Sequence, residues 1–299
     1  MEKHIPVLLD EVIEKLQIKE NGIYVDLTLG RAGHSKEILK KLTTGKLICL
    51  DKDIEAINQS NEILKKINSN YVLIKSDFRF LSDVLKKMNI EKVDGIIADL
   101  GVSSPQLDNV NRGFSYSQNS DLDMRMDIDQ SLTAKYILNN YSFETLNKLL
   151  IDNADVKFSQ RIAKEIIKNR PFNESFKLVD LLKNILPAKL LKQKNPAKQV
   201  FQALRIAVND ELNAINDLLE QIPNLLNKNG KFLAISFHSK EDYLIKKFYQ
   251  NLTYRNPKLD KLPIQEEKSW SQKIIFPSKK EKQLNKRSHS AKLRIITKL

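Results

Sequence analysis

Four short apolar runs, separated by amphipathic segments, fill the first hundred residues, and few folds accept that alternation. Residues 23–29, 46–50, 71–74 and 93–100 read as strands. Between them Ile38, Leu39 and Leu42, then Ile57, Ile63, Leu64 and Ile67, then residues 81–88 repeat at helical spacing. Continuously apolar strands alternating with helices build βαβ units around a parallel sheet covered on both faces. The alternation stops at residue 101. Residues 101–130 show no period and are rich in polar groups. Helical segments follow at 131–140, 142–153, 159–169 and 176–186, with Pro171, Pro187 and Pro196 as breakers and no strand among them. The α/β pattern then resumes. Phe201, Leu204, Val208, Leu212, Ile215, Leu219 and Ile222 step by three or four and predict one long amphipathic helix. A turn at Asn229-Gly230, a fifth strand at 231–237, a helix at 241–252, a basic loop-rich stretch at 255–289 and a closing strand at 293–297 complete the chain. The expected architecture is α/β: a Rossmann-like, mostly parallel doubly wound sheet with an inserted all-helical subdomain. Residues 1–104 form the first part of the core, 105–198 the insertion, expected to recognise substrate, and 199–299 the second part with a basic C-terminal segment.

Charge is distributed unevenly along this plan. The net charge is +13, yet residues 228–299 hold 18 Lys and Arg against 6 Asp and Glu, while residues 1–227 hold 32 against 31. Such asymmetry suits a polyanionic partner, nucleic acid first, a reading that stands modestly ahead of a merely lysine-rich solvated surface. Cys49 is the single cysteine, so no internal disulfide is possible, and its apolar run marks it as a small buried hydrophobe. No apolar run reaches the roughly 18 residues of a membrane span. Asp10, Glu11 and Glu14 stand where a signal peptide would be apolar, so a cytoplasmic location is expected. His4, His34, His238 and His289 are scattered, and the acidic run at Asp121, Asp123, Asp127 and Asp129 lacks the glycine and closing glutamate of a calcium loop. No metal is expected.

The strand ends carry the chemistry. Asp26-Leu-Thr-Leu-Gly30-Arg-Ala-Gly33-His34-Ser35 runs from the first strand through glycines into a helix, the place where doubly wound folds bind nucleotide-like cofactors. Its Gly-x-x-Gly spacing does not meet the dinucleotide fingerprint, and an ordinary strand–helix turn fits it too. Asp51, 21 positions after Gly30, ends the second strand and can accept hydrogen bonds from both hydroxyls of a ribose. Asp53 competes for that role. Ser76-Asp77-Phe78 follows the third strand; Phe78 either packs on an adenine whose amino group the carboxylate or backbone reads, or fills the core. Asp99-Leu-Gly101-Val-Ser103-Ser104-Pro105-Gln106 follows the fourth strand. Methyltransferases acting on exocyclic amines carry an Asp/Asn/Ser-Pro-Pro-aromatic loop here. Ser104-Pro105 matches half of it, with Gln106 and Leu107 replacing the rest, so a stacking aromatic must come from Phe114, Tyr116 or neither.

Longer runs add a resemblance. Gly30-Arg-Ala-Gly-His-Ser35, Asp99-Leu-Gly-Val-Ser-Ser-Pro-Gln-Leu-Asp108, Arg112-Gly-Phe-Ser115, Leu122-Asp-Met-Arg-Met-Asp127, Phe201-Gln-Ala-Leu-Arg-Ile206 with Val208-Asn-Asp-Glu-Leu212, and Ser236-Phe-His-Ser239 with Glu241-Asp242 resemble the ribosomal RNA small-subunit methyltransferase H family. The resemblance extends from His4 to the C-terminal strand. It departs at Ala32, where a glycine is common, and at Lys240. It implies a class I methyltransferase core with a helical insertion. The implied activity is transfer of a methyl group from S-adenosyl-L-methionine to N4 of a cytosine in 16S rRNA at the decoding centre. Carried over by position, its cofactor contacts fall on Ala32, Gly33, His34, Asp51, Phe78, Asp99 and Gln106. The cytosine amine is a poor nucleophile, and Ser104, in the Ser103-Ser104-Pro105 loop, is the candidate catalytic acceptor for its N–H. The expected partner is 16S rRNA within the 30S particle. Other readings are a methyltransferase for another RNA or a protein, a non-catalytic RNA-binding assembly factor, and a nucleotide-dependent dehydrogenase.

Overall fold

The computed structural model describes residues 6–187, 196–254 and 269–299. Its strands are β1 Ile23–Asp26, β2 Lys46–Asp51, β3 Tyr71–Lys75, β4 Val93–Asp99, β5 Leu226–Ser236, β6 Trp270–Ile275 and β7 Lys292–Lys298. They form one sheet in the order β3-β2-β1-β4-β5-β7-β6. The pairs among β1 to β5 are parallel. β7 runs antiparallel between β5 and β6. Leu47 to Leu50 and Ile96 to Ala98 are almost wholly buried, as a sheet covered on both faces requires.

The helices are α1 Leu9–Leu16, α2 Gly33–Leu39, α3 Ile54–Leu64, α4 Leu81–Lys87, α5 Ser104–Asp108, α6 Ala134–Asn140, α7 Phe143–Ala154, α8 Ser159–Lys168, α9 Ser175–Ile185, α10 Pro196–Asn209, α11 Glu211–Leu225, α12 Ser239–Leu252 and α13 Lys279–Leu284. Two compact units result: the sheet unit, up to Gly101 and from Asn213 onward, and the helical unit, Val102–Leu212. The helical unit reaches beyond the 105–198 read from sequence because α10 places Val200, Phe201, Leu204 and Val208 in the helical core with Leu146, Leu150, Ile162 and Ile166.

The single long helix expected across 201–222 is two helices. Asp210 adopts φ 51, a left-handed conformation that ends α10. The break is built by side chains. Arg205 donates to both carboxylate oxygens of Glu211 at 2.9 Å, and buried Asn209 accepts from the N–H of Met126 at 2.7 Å while donating to the carbonyl of Met124 at 2.8 Å. Arg112 donates to the carbonyls of Arg125 and Met126. These contacts fix the irregular stretch, so Met124 and Met126 enter the helical core despite the absence of a period. The stretch read as loop across 255–289 also holds β6 and α13; residues 255–268 lie outside the described residues. β6 escaped sequence reading because an edge strand is wet, and its pattern shows little alternation.

Candidate active site

The strand order turns at β1: β2 pairs on one side of it and β4 on the other. In open α/β sheets this switch point leaves a crevice at the carboxyl ends of the strands. Three carboxylates stand there, Asp26 ending β1, Asp51 ending β2 and Asp99 ending β4.

The turn from β1 to α2 is strained and tied down. Gly30 and Ala32 have φ 48 and φ 55; the alanine pays for a conformation that glycine takes freely. The N–H of Gly30 donates to Oδ2 of Asp51 at 2.9 Å, and its carbonyl accepts from the Ser60 hydroxyl at 2.9 Å. At Gly33 a Cβ would lie 2.2 Å from Cγ of Pro6, so only glycine lets the N-terminal segment cross here. His34 is buried, with Nε2 3.1 Å from the carbonyl of Val7. A carbonyl only accepts, so Nε2 carries the hydrogen. Burial depresses the ring pKa to about 4, which keeps it neutral. The imidazole thus pins the N-terminal segment to α2.

Asp51 accepts one backbone N–H on each oxygen, from Gly30 and from Asp53, both at 2.9 Å. A carboxylate has about four acceptor positions, so two remain for a diol. Burial, with Asp53 and Asp26 nearby, pushes its carboxyl up to about 6. Asp53, its rival, caps α3 by accepting the N–H of Glu55. Phe78 opens a short 3-10 turn and is half-buried. Asp77 pairs with Lys52 at 2.8 Å and accepts the N–H of Arg79. Its carboxylate is therefore committed within the protein, and the backbone is left to read a base.

Asp99 has the least satisfied environment of the three. Its N–H donates to Thr28 Oγ1 at 2.7 Å, while its Oδ1 is buried with no hydrogen-bond partner among the described residues. A buried acceptor left empty is costly. Burial, then the like charges of Asp26 and Glu241, push the Asp99 carboxyl up to about 8. The folded state therefore binds the Asp99 proton more tightly than the unfolded chain. Its contribution to stability is full below the unfolded pKa of about 4 and is lost as pH rises through about 8. In the cofactor-free protein, Asp99→Asn should raise the melting midpoint at pH 8 by several degrees, and the gain should shrink towards pH 4. Equal midpoints across that range in calorimetry would contradict this.

Asp26 and Glu241 were not singled out from sequence. Asp26 accepts the Ser35 hydroxyl at 2.6 Å and the N–H of Thr28 at 3.1 Å, and so shapes the turn from inside. Its signal was a lone charge within an apolar strand. Glu241 is fully buried at the start of α12 and forms a capping box with His238. It accepts the N–H of Phe237 at 2.7 Å.

Ser104 and Gln106 belong to the helical unit. Ser103 caps α5, Pro105 sits in its first turn, and Gln106 Oε1 accepts the N–H of Ser103 at 3.0 Å. The Ser-Ser-Pro-Gln run is thus a capping box that fixes the backbone, and both Ser104 and Gln106 are buried. Phe114 is buried in the helical core, and Tyr116 packs edge-on against Phe201 at 5.8 Å. Both aromatics proposed for stacking on a base are engaged in the core of their own unit.

A cationic methyl donor of the nucleoside type suits these groups: a carboxylate with spare acceptor sites, a half-buried ring in the turn after β3, and a buried acceptor without a partner among the described residues. The strand order, with antiparallel β7 between β5 and β6, is the fold of class I, S-adenosyl-L-methionine-dependent methyltransferases. All of residues 1–299 match the MraW methylase family, and the chain belongs to that family. It is 57% identical to the "Ribosomal RNA small subunit methyltransferase H" of Metamycoplasma arthritidis, over 95% of this chain and 99% of the relative. It is 53% identical to the protein of that name from Mycoplasmopsis synoviae, over 99% and 98% of the two chains. The Mycoplasmopsis agalactiae protein of the same name is 52% identical, over 99% of each.

Proposed function

We propose that the protein methylates N4 of a cytidine in 16S rRNA, in the decoding region, with the 30S particle as substrate and the cytoplasm as its place of action. The observation that carries the reading is Asp99. A buried carboxyl with an unfilled oxygen at the switch point is of use to a cofactor-binding enzyme and a burden to an RNA-binding scaffold. The relatives' names supply the ribosomal RNA substrate, and the motif resemblance supplies the cytosine. When bound, S-adenosyl-L-methionine supplies a methyl group on a positively charged sulfur, which is a good leaving group.

The chain's own residues hold and orient. The turn at Ala32, Gly33 and His34 offers first-turn backbone N–H groups. Asp51 takes ribose hydroxyls, Phe78 packs on the adenine, Asp99 accepts from a donor of the cofactor, and Gln106 completes the contacts. The helical unit recognises substrate. Ser104 accepts from the cytosine amine, restoring electron density on nitrogen as the bond forms, which is a positioning demand more than a strong-base one. Calorimetric titration should show binding of S-adenosyl-L-methionine and none of NAD; the reverse would point to a dehydrogenase. Ser104→Ala should lower kcat about tenfold, the worth of one neutral hydrogen bond, with cofactor affinity unchanged. Unchanged kcat would remove Ser104 from the reaction.

A further inference from the structure

The exposed face of α12 is a stripe of one composition. Tyr243, Lys246, Lys247 and Gln250 are exposed, and Tyr254 follows two residues past the end of the helix. At 3.6 residues per turn the four positions on the helix fall within one arc of about 100°. Tyr243 is 58% exposed and Tyr254 75%, values that no packing among the described residues accounts for. No acidic residue lies on the stripe. The helix's two acids, Glu241 and Asp242, are turned away from it: Glu241 is buried, and Asp242 accepts from Lys292 at 2.6 Å and from Arg294 at 2.7 Å. Lys292 Nζ also stands 5.7 Å from the ring centroid of Phe276, which is 60% exposed. A third aromatic therefore lies at the end of the helix that carries Tyr243.

We infer that this face docks single-stranded RNA, with bases stacking on Tyr243 and Tyr254 and phosphates meeting Lys246 and Lys247. The inference rests on the RNA substrate proposed above and assigns a place to it. Solvated helix faces carry lysine with glutamate; aromatic rings alternating with lysines, without acids, are what single-stranded nucleic acid selects. Charge complementarity favours RNA over a protein partner, which would leave the lysines uncompensated or need an acidic surface. Location agrees. α12 starts directly after β5, at the carboxyl edge of the sheet, and Glu241 in its first turn is close enough to raise the Asp99 carboxyl. A strand lying along the stripe would be led towards that edge.

The test is fluorescence anisotropy with a labelled single-stranded 12-nucleotide cytidine–uridine RNA, and the same RNA in a duplex. Tyr243→Ala and Tyr254→Ala should each weaken single-strand binding about tenfold, Tyr→Phe at either position should restore it, and duplex binding should be insensitive to the tyrosines. Lys246→Glu with Lys247→Glu should lower the slope of log affinity against log salt by about 1.4 or more. Melting midpoints and S-adenosyl-L-methionine affinity should stay at wild-type values, which excludes misfolding. Wild-type protein that does not bind the RNA, or tyrosine variants that bind like wild type, would overturn the proposal. So would self-association in sedimentation velocity that the tyrosine variants abolish, since it would give the face to a second copy. Methyl transfer to 30S particles is measured separately, so the docking face can fail while the proposed reaction stands, and the converse.

Discussion

Asp99→Ala will weaken S-adenosyl-L-methionine binding by about a hundredfold and remove methyl transfer at ordinary cofactor concentrations. The magnitude follows from the site. Hydrogen bonds to a charged group are worth about 1.5–3 kcal/mol, and Asp99 offers an oxygen that none of the described residues satisfies. In the cofactor-free state the carboxyl holds its proton up to about 8, under burial and the charges of Asp26 and Glu241. A cationic ligand would favour the ionised form, so binding should release a proton near neutral pH. Calorimetry in buffers of different ionisation enthalpy reads both effects. Wild type should release close to one proton at pH 7, and Asp99→Asn none. Equal affinity in wild type and Asp99→Ala would take Asp99 out of the site.

Asp242→Ala will give the largest loss of stability outside the cores. Burial alone would raise the Asp242 carboxyl, but hydrogen bonds from Arg294 and Lys292 outweigh it and hold the group below its usual range. Arg294 is 4% exposed, and its Nη1 also donates to Gln272 at 3.0 Å. Removing the carboxylate strands a buried guanidinium, which typically costs about 3–5 kcal/mol. For a unit of this size the midpoint should fall by on the order of 8 °C. The sign with pH is that of a depressed acid: the pair's contribution is present above about pH 4 and fades as pH falls through the folded value. The gap between variant and wild type should therefore close in acid. A gap that persists at low pH would mean that the loss is one of packing and not of charge pairing.

The inner sheet was legible because a strand buried on both faces must be apolar, so the cores of β1, β2, β4, β5 and β7 announce themselves, and the half-buried edge strand β3 showed through its apolar run Tyr71 to Ile74. The strand-end acids were legible because each closes an unbroken apolar run, Asp51 after Leu47 to Leu50 and Asp99 after Ile96 to Ala98. Beyond β6, Asp26 and Glu241, three further features were not. The break at Asp210 keeps apolar residues in helical step on both sides, and it is set by Arg205, Asn209 and Glu211, whose partners periodicity does not reveal. The segment around Met124 and Met126 has no period because hydrogen bonds to Arg112 and Asn209, and not a helix, bring it into the core. His34 was singled out by resemblance alone, and its ring is engaged with Val7. Several runs that carry the resemblance, among them Arg112-Gly-Phe-Ser115 and Leu122-Asp-Met-Arg-Met-Asp127, thus have work in holding the helical unit together. Motif recognition cannot separate that from contact with a ligand.

The most direct test of the central claim is transfer of isotopically labelled methyl from S-adenosyl-L-methionine to 30S particles lacking their native modifications, with mass spectrometry of the digested 16S rRNA. N4-methylated cytidine at a single position in the decoding region, formed by wild type and absent with Asp99→Ala, is the predicted result. Label at another atom or on protein, or equal incorporation by Asp99→Ala, would contradict the account.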